Sequence, residues 1–445
     1  MKHISLIIYT SFWFTSFTQG QVPVLWGITI HPSTTGVASI FKINGDGTGM
    51  HSQTYSTGDE AQGMFIKANN GIFYGTSGIL TGEIYGFNPM NNNYAFTNLG
   101  SGSIPPTGSL MQANNGLLYG LTGTGGTTND GMLYSFDVNS NLYEQLYSFQ
   151  FPYNNPRGFL TQANNGKLYG ITASYILFSI DTGGGNFTPA FVFVDSLGRY
   201  PGAFLILAND GKLYGTATEG GANGVGTIFS FDPSNNNFSK IYDFDNTNGA
   251  DPGSKLIQAN NNKLYGVAGG GVNGGGVIFS FDIATNSYTK VFDATTLQGV
   301  GSLLQASDNN LYGTCGGGAY GQGAVFKFDI INGGYTDIYD FKTSDSVGIN
   351  PIGGLLEDNI ITDIAAIGDN QMTIFPNPSN GGVYFNGLQD GYNIEVYNPL
   401  GEIICTSKTF GGNYRLSLTG RANGIYFYRI TDNTAIIQQG KIVLE

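Results

Sequence analysis

The chain is poor in charge, cysteine, histidine and long apolar runs. Only 11% of its 445 residues are charged, against 13% aromatic residues and 69 glycines. A disordered chain shows the opposite balance, so disorder is excluded. Two cysteines, Cys315 and Cys405, build no disulfide framework; they fall in different domains and are expected as free thiols. The histidines are His3, His31 and His51, too few for a multi-histidine metal site, so neither metal nor cofactor is expected. A net charge of −13 argues against nucleic acid or an anionic lipid surface as partner. After the first twenty residues nothing is long and apolar enough to be a transmembrane segment. Helical periodicity is missing as well.

What is present begins with a leader, MKHISLIIYTSFWFTSFTQGQ. Lys2 supplies a positive start, Ile4 to Phe17 an apolar core, and Thr18 and Gly20 the small residues before a cut at Gln21. Residues 1–20 therefore read as a secretory signal peptide.

Then a phrase recurs: QANNGLLYG at 112–120, QANNGKLYG at 162–170, LANDGKLYG at 207–215 and QANNNKLYG at 258–266. Aligned on the aromatic-Gly pair, from Trp26-Gly27 to Tyr312-Gly313, the period is about 48 residues, in the range of propeller blades. Each period holds four strand signals. GFLTQAN (158–164) comes first, and its Asn-Gly predicts a two-residue hairpin with φ > 0 at both central positions. KLYGITA (167–173) follows, then a glycine-rich loop such as EGGANGVG (219–226). A strand of the TIFSFD type (227–232) and one like FSKIYDF (238–244) complete the period. Four antiparallel strands per period, many times over, predict a β-propeller. The repeats start at a second strand, VLWGITI, and end on a lone first strand, NPIGGLL (350–356). Pairing these two would close a ring of seven blades without an open edge. The predicted propeller spans 21–356, and 357–371 reads as a linker.

The repeat resembles the GloVer tandem repeat of secreted bacterial proteins: NGADPGSKLIQANNNKLYGVAGGGVNGGGVIFSFD (248–282) carries its x-Pro-x-Gly lead, its LeuTyrGly centre and its glycine-rich close. EIYGFN (83–88) and YILFSI (175–180) follow shortened glycine loops. The resemblance implies a propeller-like repeat without an assigned activity.

From residue 372 the repeat gives way to alternating strands that predict a small β-sandwich over 372–445. Pro376-Asn377-Pro378 opens it, Gly424-Ile425-Tyr426 lies near its end, and Lys441-Ile442-Val443 closes it. This order resembles the sorting domain of the type IX secretion system; the terminal Leu444-Glu445 departs from the usual basic residue. The resemblance implies the type IX secretion machinery as partner and export across the outer membrane of a Gram-negative bacterium. Release, or attachment to surface lipopolysaccharide after removal of the sorting domain, would follow.

No catalytic residue emerges. Neither His31 nor His51 sits beside a nucleophile motif. Asp137, Asp181, Asp232, Asp282 and Asp329 share one repeat position at a strand end, where an Asp hydrogen-bonds the following turn. Lys67, Gln112, Gln162, Leu207, Gln258 and Gln305 share another on the innermost strands, with no acid among them. Asn44-Gly45-Asp46-Gly47 reads as a turn more than a calcium loop. The repeated tyrosines read as packing between blades. Loops on a rigid scaffold are where function concentrates. Arg157 and Arg199, the only arginines of the repeat region, lie in such loops with Tyr153, Tyr200 and Glu219 nearby. Arginine beside tyrosine suits a carboxylated or polar sugar, or an acidic peptide. The expected function is a secreted, surface-displayed, non-catalytic propeller that binds a glycan or protein ligand. The alternatives are a glycosidase or lyase using loop acids such as Asp195, Glu219 and Asp251, or a structural surface component.

Overall fold

The computed structural model describes residues 22–30, 37–56, 61–77, 82–99, 106–202, 204–297, 301–358, 373–375, 379, 381–386, 388, 390–398, 402–409, 413–431 and 436–444. The predicted leader, the linker from 359 onward, His31 and the Pro376-Asn377-Pro378 motif lie outside them. Among the described residues every regular element is a strand. The chain divides into one compact unit ending at Asp358 and another starting at Asn359.

The phrase at 162–170 folds differently from the hairpin predicted for it. Ala163 N donates to Lys167 O (3.0 Å) and Gly166 N to Ala163 O (2.9 Å). Only Gly166 has positive φ (80°), while Asn165 does not. This is a type I turn closed by one left-handed residue, not a two-residue mirror-image turn. Asn165 works through its side chain instead. Its Oδ1 accepts from Lys167 N (3.1 Å), and its Nδ2 donates to the Tyr169 hydroxyl (2.9 Å). Where the glycine is missing, Asn262 (63°) and Asn309 (68°) take the left-handed position, as asparagine tolerates.

Tyr169 then reaches across to the next sheet and clusters with Phe229 and Phe231. Gly170 does the opposite job within its own sheet: a Cβ there would lie 2.7 Å from the ring of Phe178 on the facing strand. The tyrosine joins sheets, and the glycine leaves room for the aromatic of the third strand.

Seven antiparallel sheets of this kind are described in the first unit. Six follow the chain in turn, over 61–98, 111–148, 156–192, 199–243, 257–293 and 304–340, and are called here the second to the seventh. The first combines Val24–Ile30, Val37–Asn44 and His51–Ser56 with Ile349–Glu357 from the far end, which pairs antiparallel with Val24–Ile30. Apolar clusters bridge each sheet to the next. Tyr265 of the sixth packs with Phe326 and Phe328 of the seventh. Tyr312 of the seventh packs with Phe41 and Ile43 of the first. Trp26 of the first packs with Phe73 and Phe87 of the second.

A polar seam runs beside these clusters. Gln258 Oε1 accepts from Asn209 N of the sheet before (2.8 Å), while its Nε2 donates to Asn262 O of its own turn (3.2 Å). Gln112, Gln162 and Gln305 repeat the pattern. At the first sheet the position belongs to Glu357, which accepts from Ser307 N (3.0 Å). An acid therefore does occur on the innermost strands, contrary to expectation, and its carboxylate holds the neighbouring turn. Lys67 pairs with buried Asp358, so the first unit runs past the expected boundary at 356 to Asp358. Leu207, at the fifth sheet, has no such side-chain bridge to offer.

The repeated aspartates cap their turns: Asp232 accepts from Ser234 N (2.9 Å), Asp282 from Ala284 N (3.0 Å) and Asp329 from Ile331 N (2.8 Å). These bonds hold the carboxyl of Asp232 below its ordinary range, the Ser234 hydroxyl contributing most. Asp46 likewise accepts from Thr48 N (2.9 Å) and its hydroxyl (2.7 Å), as a turn residue. Cys315 is free and buried, and burial pushes its thiol up to about 11; Cys405 is free and half-buried.

In the second unit, Thr373–Phe375, Gly382–Asn386 and Asn413–Ser417 form one sheet. Ile403–Lys408, Asn393–Tyr397, Gly424–Thr431 and Ile436–Leu444 form another. Val383, Phe385 and Leu416 of the first share a core with Ile394, Val396 and Ile430 of the second. The two described motifs are cross-strand partners: Ile425 faces Val443 and Tyr426 faces Ile442. Tyr426 and Ile442 are buried together in that core.

The glycine on each second strand generates a direct test. A methyl group at Gly266 would sit 2.6 Å from Phe279 Cζ and 2.7 Å from Leu256 Cδ2. Gly266→Ala should cost about 1–3 kcal/mol of stability through overpacking, read as a lower denaturant midpoint with an unchanged slope.

Candidate functional site

The repeat demands a left-handed residue before each third strand. Gly131, Gly226, Gly276 and Gly323 fill this position, at φ of 104°, 105°, 101° and 96°. The carbonyl of each accepts the amide that follows its fourth strand, as Phe244 N donates to Gly226 O (3.0 Å). In the fourth sheet the connection is short, Phe193 N donates to Tyr175 O (3.0 Å), and Tyr175 takes φ = 58°. A tyrosine stands where the repeat uses glycine.

A second position behaves the same way. The residue before the proline at the head of an inner segment is left-handed at Asn155 (52°), Asp251 (46°) and Asn350 (47°). In the fifth sheet it is Tyr200, at 51°. Among the described residues, the non-glycine residues with positive φ are all Asn or Asp except these two tyrosines. Bulky residues are genuine outliers there, and such strain costs on the order of 1–3 kcal/mol each.

The two rings meet edge to face, 4.9 Å apart. Arg199 lies over Tyr200 (4.8 Å to the ring centre), and its Nη2 donates to the Tyr200 hydroxyl (3.3 Å). Arg199 also faces Glu219 across the strand pair, with Nε 3.5 Å from Oε2. The hydrogen bond from Arg199, and next the one from Tyr175, pull the Tyr200 hydroxyl below its usual range. Desolvation, and then the bond to Tyr200, push Tyr175 up. Arg157 stands near enough for its charge to act on Tyr175. The cluster offers a planar cation, two phenols and a carboxylate on an exposed rim; Tyr200 is 38% exposed.

The structure thus brings Arg199, Tyr200 and Glu219 into contact, while Arg157 lies on the fourth sheet, paired across to Ile171. Tyr153 goes elsewhere, packing 5.2 Å from Phe187, whose ring stacks on Tyr147. Tyr175 was missed because its segment reads as a shortened loop; the signal was a tyrosine aligned with glycine. Asp195 uses its carbonyl to accept from Gly221 N (2.8 Å), and Asp251 holds the left-handed position before Pro252. His51 is exposed at the start of an outer strand. Among the described residues no three His, Cys, Asp or Glu gather as a metal-binding group, and no helix is long and apolar enough to cross a membrane.

These features define a tandem-repeat, β-propeller-like protein with a separate C-terminal module. Residues 175–364 are a Gloeobacter/Verrucomicrobia repeat region, and residues 373–445 are a secretion system C-terminal sorting domain, the type IX module. The sorting domain ties the chain to the type IX secretion machinery and makes it a secreted or cell-surface protein. No curated protein matches the chain. Among solved structures it is similar to PorZ, an essential bacterial surface component of the type-IX secretion system of Porphyromonas gingivalis. That likeness has 12% identity and a TM-score of 0.46, over 92% of this chain and 64% of PorZ. It is similar to TolB from Acinetobacter baumannii at 11% identity and a TM-score of 0.40, over 60% of this chain and 62% of TolB. A fungal alcohol oxidase in complex with copper gives 14% identity and a TM-score of 0.48, over 95% and 96%. No function is carried over from these three.

If the tyrosines are not part of the scaffold, replacing one by its repeat counterpart should leave the fold intact. Tyr200→Asn is expected to hold or raise the thermal midpoint, because relief of strain offsets an edge-to-face contact worth about 0.5–1.5 kcal/mol. A fall of several degrees in calorimetry would assign the ring to scaffold packing.

Proposed function

We propose that the seven sheets are the blades of a β-propeller closed by Ile349–Glu357 on Val24–Ile30. It acts outside the cell as a non-catalytic module that binds a glycan or protein ligand at the junction of the fourth and fifth blades. Closure is supported by the clusters that link the seventh sheet to the first and the first to the second, and by the pairing of the first and last strands. The observation that carries the binding reading is the pair Tyr175 and Tyr200. Both break the repeat at positions where Gly, Asn or Asp would be less strained, and strain of this kind clusters at ligand sites.

Arg199 and the two phenols suit a ligand with carboxylate or hydroxyl groups over a flat apolar face, such as an acidic sugar or an acidic peptide. Glu219 is already opposed to Arg199, which favours recognition over a paired-carboxylate hydrolase, where two acids flank one bond. A leader cut before Gln21 would precede export through a Gram-negative outer membrane. Removal of the sorting domain would then release the propeller or join it to surface lipopolysaccharide.

The test is a glycan and protein array probed with the secreted protein and with its Arg199→Ala/Tyr200→Asn double variant. Saturable binding that falls by about tenfold or more in the variant is expected, the scale of losing a charged hydrogen bond. Undiminished binding would move the site elsewhere, and a blank array would favour the structural-component reading.

A further inference from the structure

The innermost strands of all seven sheets surround one cavity of about 790 Å³, within the range of small-molecule sites. Most of its wall is apolar or amide. The exception is Lys255, the one charged residue among those that line it. Lys255 stands three residues before Gln258. At that same level the fourth and fifth sheets carry Phe159 and Phe204, and other sheets carry Met64, Ser109 and Ser302. The serines are engaged: Ser109 Oγ accepts from Met64 N, and Ser302 Oγ lies 2.6 Å from Met64 Sδ. Beyond the lining residues, Phe159 and Phe204 pack at 4.6 Å with their rings tilted by 41°, and the ammonium of Lys255 sits 5.6 Å from the Phe159 ring centre.

Among the described residues no carboxylate pairs with Lys255. Lys255 is half-buried, and desolvation pulls its pKa below the ordinary lysine value, as for a cation that has lost part of its water without gaining an anion. Such a group costs free energy until a counter-charge reaches it. The amides of Gln112, Gln162 and Gln258, which also line the cavity, each use one donor on their own turn, and an amide nitrogen has two; Gln305 spends both, on Asn309 O and Asn260 Oδ1. A cavity-lining cation beside an aromatic pair, and three spare amide donors, together describe the ligand.

We propose that the central cavity is a second binding site, separate from the rim cluster, for a sugar carboxylate of the uronic-acid type. Its carboxylate pairs with Lys255, and its hydroxyls meet the amides of Gln112, Gln162 and Gln258.

The test is titration calorimetry of the secreted protein with galacturonate, galactose and phenylacetate, repeated on Lys255→Met and Lys255→Gln after calorimetry confirms that each variant folds. Saturable galacturonate binding, absent for galactose and weakened about tenfold or more in both variants, is expected for a charge-assisted contact. In the Arg199→Ala/Tyr200→Asn background, where the rim is disabled, Lys255→Gln should still weaken the remaining galacturonate binding about tenfold, which separates this site from the rim. The proposal is overturned if galacturonate fails to bind or if both lysine variants keep their affinity. Phenylacetate binding as tightly as galacturonate would overturn the sugar assignment.

Discussion

The first unit depends on one steric allowance, made once per sheet. Gly27, Gly75, Gly120, Gly170, Gly215, Gly266 and Gly313 each face an aromatic ring of their own sheet's third strand, closer than a Cβ would permit. With that ring lying over the second strand, the aromatic residue just before the glycine is free to point into the neighbouring sheet. One dipeptide therefore sets both the packing within a sheet and the packing between sheets. The turn before it is tied in as well, since Asn115, Asn165 and Asn261 donate to the hydroxyls of Tyr119, Tyr169 and Tyr265. A substitution at the glycine would disturb the ring, the tyrosine and the turn together, because interiors packed to crystal density transmit strain.

Much of this was legible in advance because it repeats. A residue type that returns in every sheet at one position has a structural cause, and the period and the four strands announced themselves that way; the sorting domain was legible instead through the order of its three motifs. What misled was chemistry that one phrase leaves ambiguous. Asn-Gly predicts a mirror-image turn when two strands are joined by two residues, but the alanine before it pairs with the residue after the glycine and lengthens the loop. Asparagine was present for its side chain, and a sequence carries no mark that separates the two uses. The seventh member of the glutamine ring was hidden for a different reason. Glu357 lies at the end of the last repeat, where the phrase that would align it has already stopped.

The candidate site was legible in part, and for the opposite reason. Arg157, Arg199 and Tyr200 were found because they do not repeat; Tyr175 was passed over because loops of unequal length spoil the alignment that would have shown it under a column of glycines. Tyr153 was wrongly grouped with them: nearness in sequence to Arg157 placed it in the same loop, but its ring turns toward Phe187. Lys255 stood in plain view at a position occupied elsewhere by phenylalanine, serine and methionine. Its meaning depends on burial, which only the fold supplies.

Several departures from symmetry fall together. Tyr175, Tyr200, Arg157, Arg199, Phe159, Phe204 and Leu207 all belong to the fourth and fifth sheets or the loop between them, and Lys255 opens the sixth beside them. Leu207 also removes the glutamine bridge that joins other neighbouring sheets. The junction carrying the strained tyrosines is therefore a junction where the polar seam is interrupted. Strain and a missing hydrogen-bond bridge in one sector is the pattern expected when a scaffold gives up stability locally for recognition. The regular sheets supply the stability that lets this sector depart from the rule.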